Sequence, residues 1–176
     1  MSSLTKEKLE LEATRLLHEM NIGSKYDREH TYISCWHNNE YESEAMWRLY
    51  SKDVTNAIAI QTTAKQLYLA LDREPTIEIG KVRYIDFEKA FASVNGAFWY
   101  KRKAFEHERE VRAIVHRHEE PCAGIPFPID VERLIEGIYI SPYAPKWFVS
   151  VVQSVVDTYR INKPVHQSQM LLKPFF

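Results

Sequence analysis

The sequence has few glycines and few cysteines. The 176 residues include only five glycines and eight prolines, and 45% of the residues are hydrophobic. This composition is unlike that of a low-complexity or disordered chain. The two cysteines, Cys35 and Cys122, fit neither a metal-ligand spacing nor a disulfide framework, so reduced thiols are expected. These absences predict a packed globular protein whose fold needs no metal and no disulfide.

Long apolar runs and an excess of charge are also missing. No stretch approaches the roughly 18 consecutive apolar residues of a membrane-spanning helix, and residues 1–10 are polar where a signal peptide would be apolar. With 23 basic and 24 acidic residues the formal charge is -1, and the two signs are interspersed. We therefore expect a cytoplasmic protein without a membrane partner and without general affinity for nucleic acid.

Hydrophobic periodicity predicts helices that alternate irregularly with short strands. Apolar residues at three- and four-residue steps predict an N-terminal helix from Thr5 to Met20, which Gly23 would end. A wide apolar face predicts a last helix at about 145–159 that packs on a sheet. Strands are predicted at 31–36, 57–63, 76–87, 110–116 and 138–140, with a bulge or turn at Gly80, and shorter helices at 41–50, after Thr63 and at 129–137.

The order of these elements points to one α+β domain. There is no repeated βα unit, no glycine-rich fingerprint and no linker that would divide the chain. We expect a mixed or antiparallel central sheet with helices packed on it and amphipathic helices at both ends. The domain spans 1–176, with the N-terminal helix in 1–23 and the core in 31–170. An apolar tail at 171–176 is expected to pack on its own chain or on a partner subunit.

A first candidate site combines tryptophans with hydroxyl groups. Ser43, Trp47 and Tyr50 share one stripe of the helix predicted at 41–50, and Ser34 and Trp36 lie on the preceding strand. An aromatic wall with polar tips suits a planar ligand such as a base or a nicotinamide. The alternative is that the tryptophans belong to the core, as large aromatic residues commonly do.

Cysteine and histidine residues provide weaker hypotheses. Cys35 and His37 are a nucleophile and a base by type, but no partner that would activate the thiol is identified. His107, His116 and His118 do not match a metal-site spacing. We therefore predict no metal site in this chain.

The segment 101–116 carries the second candidate site. In the predicted strand, the apolar residues Val111, Ala113 and Val115 face one side. The charged residues Glu108, Glu110 and Arg112 face the other. One interpretation is an ordinary solvent-facing surface. The other is a cleft in which Glu108 or Glu110 binds a ribose hydroxyl or acts as a base. In that cleft a basic side chain would hold a phosphate, and the candidates are Lys101, Arg102 and Arg112.

Several long motifs in fixed order resemble one family of bacterial and phage proteins of unknown function, catalogued under the number twenty-nine seventy-one. The motifs are YISCWHNNEYESEAMWRLYS, AIAIQTT, VRYIDF, KRKAFEHEREVR, IYISPYAPKWF and HQSQM, and they cover nearly everything from Tyr32 to Met170. Members of that family often begin with a segment that carries an asparagine, aspartate and proline motif. This chain has the helix from Thr5 to Met20 in that place.

The glutamate-rich late strand is similar to the closing motif of folds of the ADP-ribosyltransferase type. That similarity implies that Glu108 or Glu110 is the catalytic acidic residue and that Trp47 or Tyr50 is a stacking wall. The early arginine or histidine strand of such folds is not identifiable in this sequence. NAD or another nucleotide is the ligand class that the similarity implies.

The functional expectation is a small nucleotide-handling protein of bacterial or phage conflict, with ADP-ribosyltransferase-like or NAD-cleaving activity. The first alternative is a non-catalytic module that recognises a nucleotide or a host protein, and the chain in either case could form a homo-oligomer. A further alternative is a nuclease in which Glu108 and Glu110 hold magnesium.

Overall fold

A computed structural model describes residues 5–71, 74–90 and 93–172. Its helices are α1 (Lys6–His30), α2 (Glu44–Tyr50), α3 (Ala64–Leu71), α4 (Val131–Leu134) and α5 (Lys146–Thr158). Its strands are β1 (Thr31–His37), β2 (Ile58–Gln61), β3 (Glu78–Lys81), β4 (Arg83–Ile85), β5 (Tyr100–Arg102), β6 (Glu110–His116), β7 (Gly137–Ile140) and β8 (Val165–Gln167). Short 3-10 helices occupy Val54–Asn56, Val94–Trp99, Lys103–Glu108 and Gln169–Leu171.

The strands form three small sheets. In the first sheet, the order is β1-β6-β3, and β6 pairs antiparallel with both neighbours. In the second, with order β2-β7-β8, β7 is antiparallel to β2 and parallel to β8. The third is the parallel pair β4-β5. The charged strand β6 therefore lies at the centre of the first sheet, with its backbone bonded on both edges.

Each of the two larger sheets has its own core cluster. Buried Val152 and Val156 of α5 pack against Ile138 and Ile140 of the second sheet. On the first sheet, Trp36 packs against a cluster built by α3 and α4, whose buried members are Leu67, Ala70 and Leu134. Burial of these apolar side chains is the main favourable term that holds the helices on the strands.

The predicted fold class, a single α+β domain with mixed and antiparallel strands, is confirmed. The strands at 31–36, 110–116 and 138–140 are present within one residue, and Thr63 caps α3, since its hydroxyl accepts a hydrogen bond from Gln66 N at 3.2 Å. No described helix has the length and apolar character to span a bilayer. The predicted tail docking concerns residues 171–176, of which 173–176 lie outside the described residues.

Two glycine predictions were wrong. Helix α1 runs through Gly23 to His30, because this glycine has a negative φ and therefore does not form the left-handed cap that ends many helices. The break in the predicted strand 76–87 falls at Val82, between β3 and β4, and Gly80 lies inside β3. Gly80 is needed there for a different reason, since a Cβ would lie 2.9 Å from Cζ3 of Trp99.

Candidate functional site

One face of the first sheet carries a polar row across its three strands. Cys35 of β1 lies opposite Arg112 of β6, which lies opposite Gly80 of β3. The Arg112 guanidinium donates from Nε to Glu110 Oε1 at 2.8 Å and from Nη2 to Glu110 Oε2 at 3.1 Å. Its Nη1 donates to the carbonyl oxygen of Phe98. The arginine therefore ties β6 to the segment that passes over this face of the sheet.

Lys101 of β5 completes an ion-pair cluster with Glu108, Glu110 and Arg112. Lys101 Nζ binds the Glu108 carboxylate and lies 3.2 Å from Glu110 Oε2. Glu108 is only 6% exposed and Glu110 only 5%. Two carboxylates and two cations leave the cluster formally neutral, which is the condition under which buried charges are tolerated.

The cluster fixes the ionisation of its members. Burial would raise the pKa of Glu110, but hydrogen bonds and charges from Arg112, Cys35 and Lys101 outweigh burial and lower the pKa to about 2. Burial likewise opposes the charged forms of Lys101 and Arg112, yet the carboxylates raise the pKa of both cations. Glu110 is therefore an anion at any physiological pH, and it is not a proton donor.

A left-handed residue positions the two glutamates. Arg109 has φ 43°, and its backbone N–H donates to Glu106 O at 3.2 Å, so the 3-10 helix ends there and β6 begins. Glu108 thus precedes the strand, and its predicted place in the alternation of β6 was wrong. The Glu110 N–H donates to the Tyr84 hydroxyl at 2.7 Å, which anchors the start of the strand.

Tyr50 and Phe105 line the exposed side of the cluster. Partial burial and the Glu108 carboxylate raise the pKa of the Tyr50 hydroxyl at the end of α2. Tyr50 is 60% exposed and Phe105 is 42% exposed. Lys101 Nζ lies 5.2 Å from the centroid of the Phe105 ring. A carboxylate, an ammonium group, a phenol and an aromatic ring thus meet at one place on the surface.

The other aromatic and hydroxyl candidates do not reach this place. Trp47 is 7% exposed, and its indole N–H donates to Glu42 at 3.1 Å, so this ring packs in the interior and forms no exposed wall. Trp36 packs on the opposite face of the sheet, because neighbouring strand residues point to opposite sides, and its indole N–H donates to Ser34. Ser43 caps α2.

Arg102 also lies apart from the cluster. Its side chain is exposed, and its guanidinium carbon lies 5.6 Å from the centroid of the Phe87 ring. Adjacent residues of β5 point in opposite directions, so Lys101 reaches the carboxylates and Arg102 does not. The structure therefore brings together Tyr50, Lys101, Glu108, Glu110 and Arg112 from the predicted set.

Cys35 does face the cluster, but its environment suppresses thiolate formation. The Cys35 side chain is exposed, but its thiol is partly desolvated. This desolvation and the interaction with Glu110 raise the pKa of Cys35 to about 11. His37 is engaged through Nδ1 by the carbonyl oxygen of Glu108, and its buried Nε2 has no hydrogen-bond partner among the described residues. A thiol with this pKa is a poor nucleophile at neutral pH.

Two open depressions border β3 and contain residues that the sequence interpretation missed. The larger, about 750 Å³, is lined by basic Lys81 and Arg83 and by the rings of Trp99 and Tyr100. The smaller, about 610 Å³, shares Lys81 and is bordered by Tyr84 and Glu110. The only sequence signals for these residues were a WY pair at 99–100 and a KVR triplet at 81–83, which are separated along the chain. They lie together in the structure because β4 pairs with β5.

Within residues 5–71, 74–90 and 93–172, no group of three or more histidine, cysteine or acidic residues is arranged to hold a metal ion. Glu108 and Glu110 are instead engaged by Lys101 and Arg112. Comparison of the chain with protein-family models, curated proteins and solved structures finds no match.

Proposed function

We propose that this chain is a nucleotide-handling protein whose site is the exposed edge of the ion-pair cluster, where Tyr50, Lys101 and Glu108 meet. The observation that carries the proposal is the contact of Lys101 with Glu108 beside two exposed aromatic rings. An ammonium group suits a phosphate, a carboxylate accepts hydrogen bonds from ribose hydroxyls, and an aromatic ring stacks on a base. The similarity of the glutamate-rich segment to the closing motif of folds of the ADP-ribosyltransferase type supports the same ligand class.

The larger depression supports the proposal, because it includes Gly80, which lies opposite Arg112 of the cluster. Lys81 and Arg83 supply positive charge there, and the Arg83 guanidinium carbon lies 6.0 Å from the centroid of the Tyr100 ring. A dinucleotide has two phosphates and two bases, so it could extend from the cluster into a second basic and aromatic surface. We assign this depression the part of the ligand that does not react.

The chemistry we propose is cleavage of the nicotinamide–ribose bond of NAD or transfer of its ADP-ribose group. In such a reaction positive charge develops on the ribose as nicotinamide leaves, and a nearby anion stabilises it. We assign this role to Glu108, because it lies next to exposed Tyr50. Glu110 binds Arg112 through both oxygens, so we assign it the positioning of the cluster and not contact with substrate.

The test is incubation of the purified chain with NAD and mass measurement of the products. Free nicotinamide with ADP-ribose indicates cleavage, and an increase in protein mass indicates transfer. We expect Glu108→Gln to lower kcat by about 100-fold or more. Glu106→Gln is the matched control, since Glu106 lies in the same 3-10 helix with its side chain 55% exposed, and it should retain activity.

Tyr50→Ala, which removes the stacking ring, separates a role in the site from a role in the fold. This side chain is 60% exposed, so the fold should persist while the KM for NAD rises. A variant with unchanged kcat and KM would remove Tyr50 from the site. Absence of any NAD product from the wild-type chain would contradict the catalytic part of the proposal.

The alternative is recognition of a nucleotide without turnover, and the engaged state of both carboxylates is the observation that favours it. In that case ADP, ATP or NAD should raise the Tm of the wild-type chain in a concentration-dependent way, and mass measurement should find no product. Lys101→Ala should abolish the shift. If no nucleotide shifts the Tm and none is consumed, nucleotide handling itself is refuted, and recognition of a host protein becomes the better hypothesis.

A further inference from the structure

The chain exposes far more surface than a compact monomer of its mass. A folded monomer of 20.7 kDa is expected to expose about 9,000 Å². This chain exposes 13769 Å². Large apolar side chains contribute to the excess, and 11 of the 23 exposed ones among the described residues lie on α1 or along α5 to its C-cap Tyr159.

Helix α1 carries the first exposed apolar stripe. The stripe consists of Leu9, Leu16, Leu17 and Met20, which are between 47% and 67% exposed. These residues recur at helical spacing and therefore lie on one side of α1. The helix is attached at its C-terminal end, where His30 is buried and the Tyr26 hydroxyl lies 3.2 Å from His118 Nδ1. Its N-terminal turns extend away from this anchor with the stripe uncovered.

Helix α5 carries the second exposed stripe. Its apolar face is wider than the sheet can cover: Val152 and Val156 are buried, whereas Trp147, Val151 and Val155 are 59%, 46% and 48% exposed. The C-capping Tyr159 extends the stripe and is 74% exposed. Ser150, Ser154 and Thr158 flank its open side, so α5 itself contributes no charge to a contact there.

The two stripes match in length. Leu9 to Met20 spans about 17 Å along α1, and Trp147 to Tyr159 spans about 18 Å along α5, at 1.5 Å per residue. We propose that the chain forms a symmetric dimer in which α1 of each copy packs on α5 of the other. Such a contact is isologous, because each copy gives one helix and receives one.

The buried area decides between this arrangement and simpler ones. Four large apolar side chains that each lose about 100 Å² contribute roughly 400 Å² per stripe. The reciprocal dimer covers four stripes, or about 1,600 Å², which is the usual size of a stable specific interface. Pairing of two α1 helices alone covers two stripes, or about 800 Å², which is typical of weak contacts.

The test is sedimentation equilibrium of the full chain over micromolar concentrations. We expect a species of twice the 20.7 kDa chain mass. Substitution of Leu16 and Met20 by glutamate, or of Val151 and Val155 by glutamate, should each raise the dimer Kd by 100-fold or more. Leu11→Glu is the control: Leu11 is 73% exposed but lies on the other side of α1, and this variant should remain dimeric.

Mixing the two double variants distinguishes the partners. Under the proposal the α1 variant still offers an intact α5 and the α5 variant an intact α1. The mixture should therefore associate more tightly than either variant does alone, through one complete contact. If only the α1 double variant loses the dimer, and mixing it with the α5 double variant does not restore association, then two α1 helices pair with each other and the proposal is overturned. A monomer at every concentration, or a dimer that survives both double variants, would also overturn it.

Hydrogen exchange on the wild-type chain makes the test independent of variant folding. Between dilute and concentrated samples, amides in 9–20 and in 147–159 should gain protection together. Protection that stays constant in either segment contradicts the α1–α5 contact.

Discussion

Arg112 binds both carboxylate oxygens of Glu110, the residue two positions earlier on the same strand, at 2.8 and 3.1 Å. Residues two apart on a strand point to the same side, and the planar guanidinium matches the carboxylate in geometry. Neither side chain is free to turn towards solvent, since Glu110 is 5% exposed and Arg112 also binds the Phe98 carbonyl. The pair therefore behaves as a fixed part of the fold.

Replacing Glu110 by glutamine should destabilise the chain strongly. The variant leaves Arg112 without its anion in a buried setting, and breaking one half of a buried pair costs about 3 kcal/mol or more. Urea unfolding should show this loss as a lower midpoint at an unchanged slope. Glu106→Gln, which changes an exposed carboxylate, should alter the unfolding free energy by less than about 0.5 kcal/mol. Equal midpoints for the two variants would show that the Glu110 pair contributes nothing.

The stability of the wild-type chain should fall in acid because of the same pair. Glu110 has a pKa of about 2 in the folded chain, against about 4.3 when unfolded. A depressed pKa stabilises the fold above the unfolded value, and that contribution is lost as the pH drops from about 5 towards 2. Urea midpoints at pH 7, 4 and 3 should decline for the wild type and decline less for Glu110→Gln. Parallel profiles would contradict the assigned pKa.

Much of the fold was predictable because local patterns determine it. Strand β6 alternates between apolar and charged residues, so the shared face of Glu110 and Arg112 followed from the sequence alone. The cap at Thr63 was equally local, whereas Ser43, which was predicted inside the helix 41–50, caps α2 instead. The end of α1 was not predictable from Gly23, because a glycine permits a helix end without requiring one.

The composition of the site was harder to predict, since it depends on contacts between distant segments. Lys101 reaches Glu108 across the 3-10 helix Lys103–Glu108 and not along a strand, so the alternation of β6 gives no indication of that contact. Trp36 and Trp47 have the residue type that a binding wall would need, but Trp47 is buried and Trp36 packs, partly buried, against the cluster of α3 and α4. Residue type alone does not distinguish a core tryptophan from a stacking one.

Cys35 should alkylate slowly despite its exposure. Its pKa of about 11 lies two units above the ordinary value of 9.0, so at pH 8 the thiolate fraction falls about 100-fold. Iodoacetamide should therefore modify Cys35 in a Cys122→Ser background about 100 times more slowly in the folded chain than in urea. Cys122 in a Cys35→Ser background is the control for general access. Equal rates for Cys35 in the two conditions would show that the folded environment, including Glu110, does not raise the pKa of this thiol.

Gly80→Ala should separate β3 from the segment that covers the cluster. An added Cβ lies 2.9 Å from Cζ3 of Trp99, closer than carbon atoms approach, so the indole or the strand must move. Overpacking of this kind costs about 1–3 kcal/mol. The urea midpoint should fall, and tryptophan emission should shift as the Trp99 ring is displaced. Gly124→Ala is the matched control, because nothing lies within 4 Å of the added Cβ and the φ of Gly124 is not positive. The urea midpoint of this variant should stay the same or rise slightly. Unchanged stability and emission in Gly80→Ala would show that Trp99 does not pack on β3, and the larger depression would lose one of its two aromatic rings.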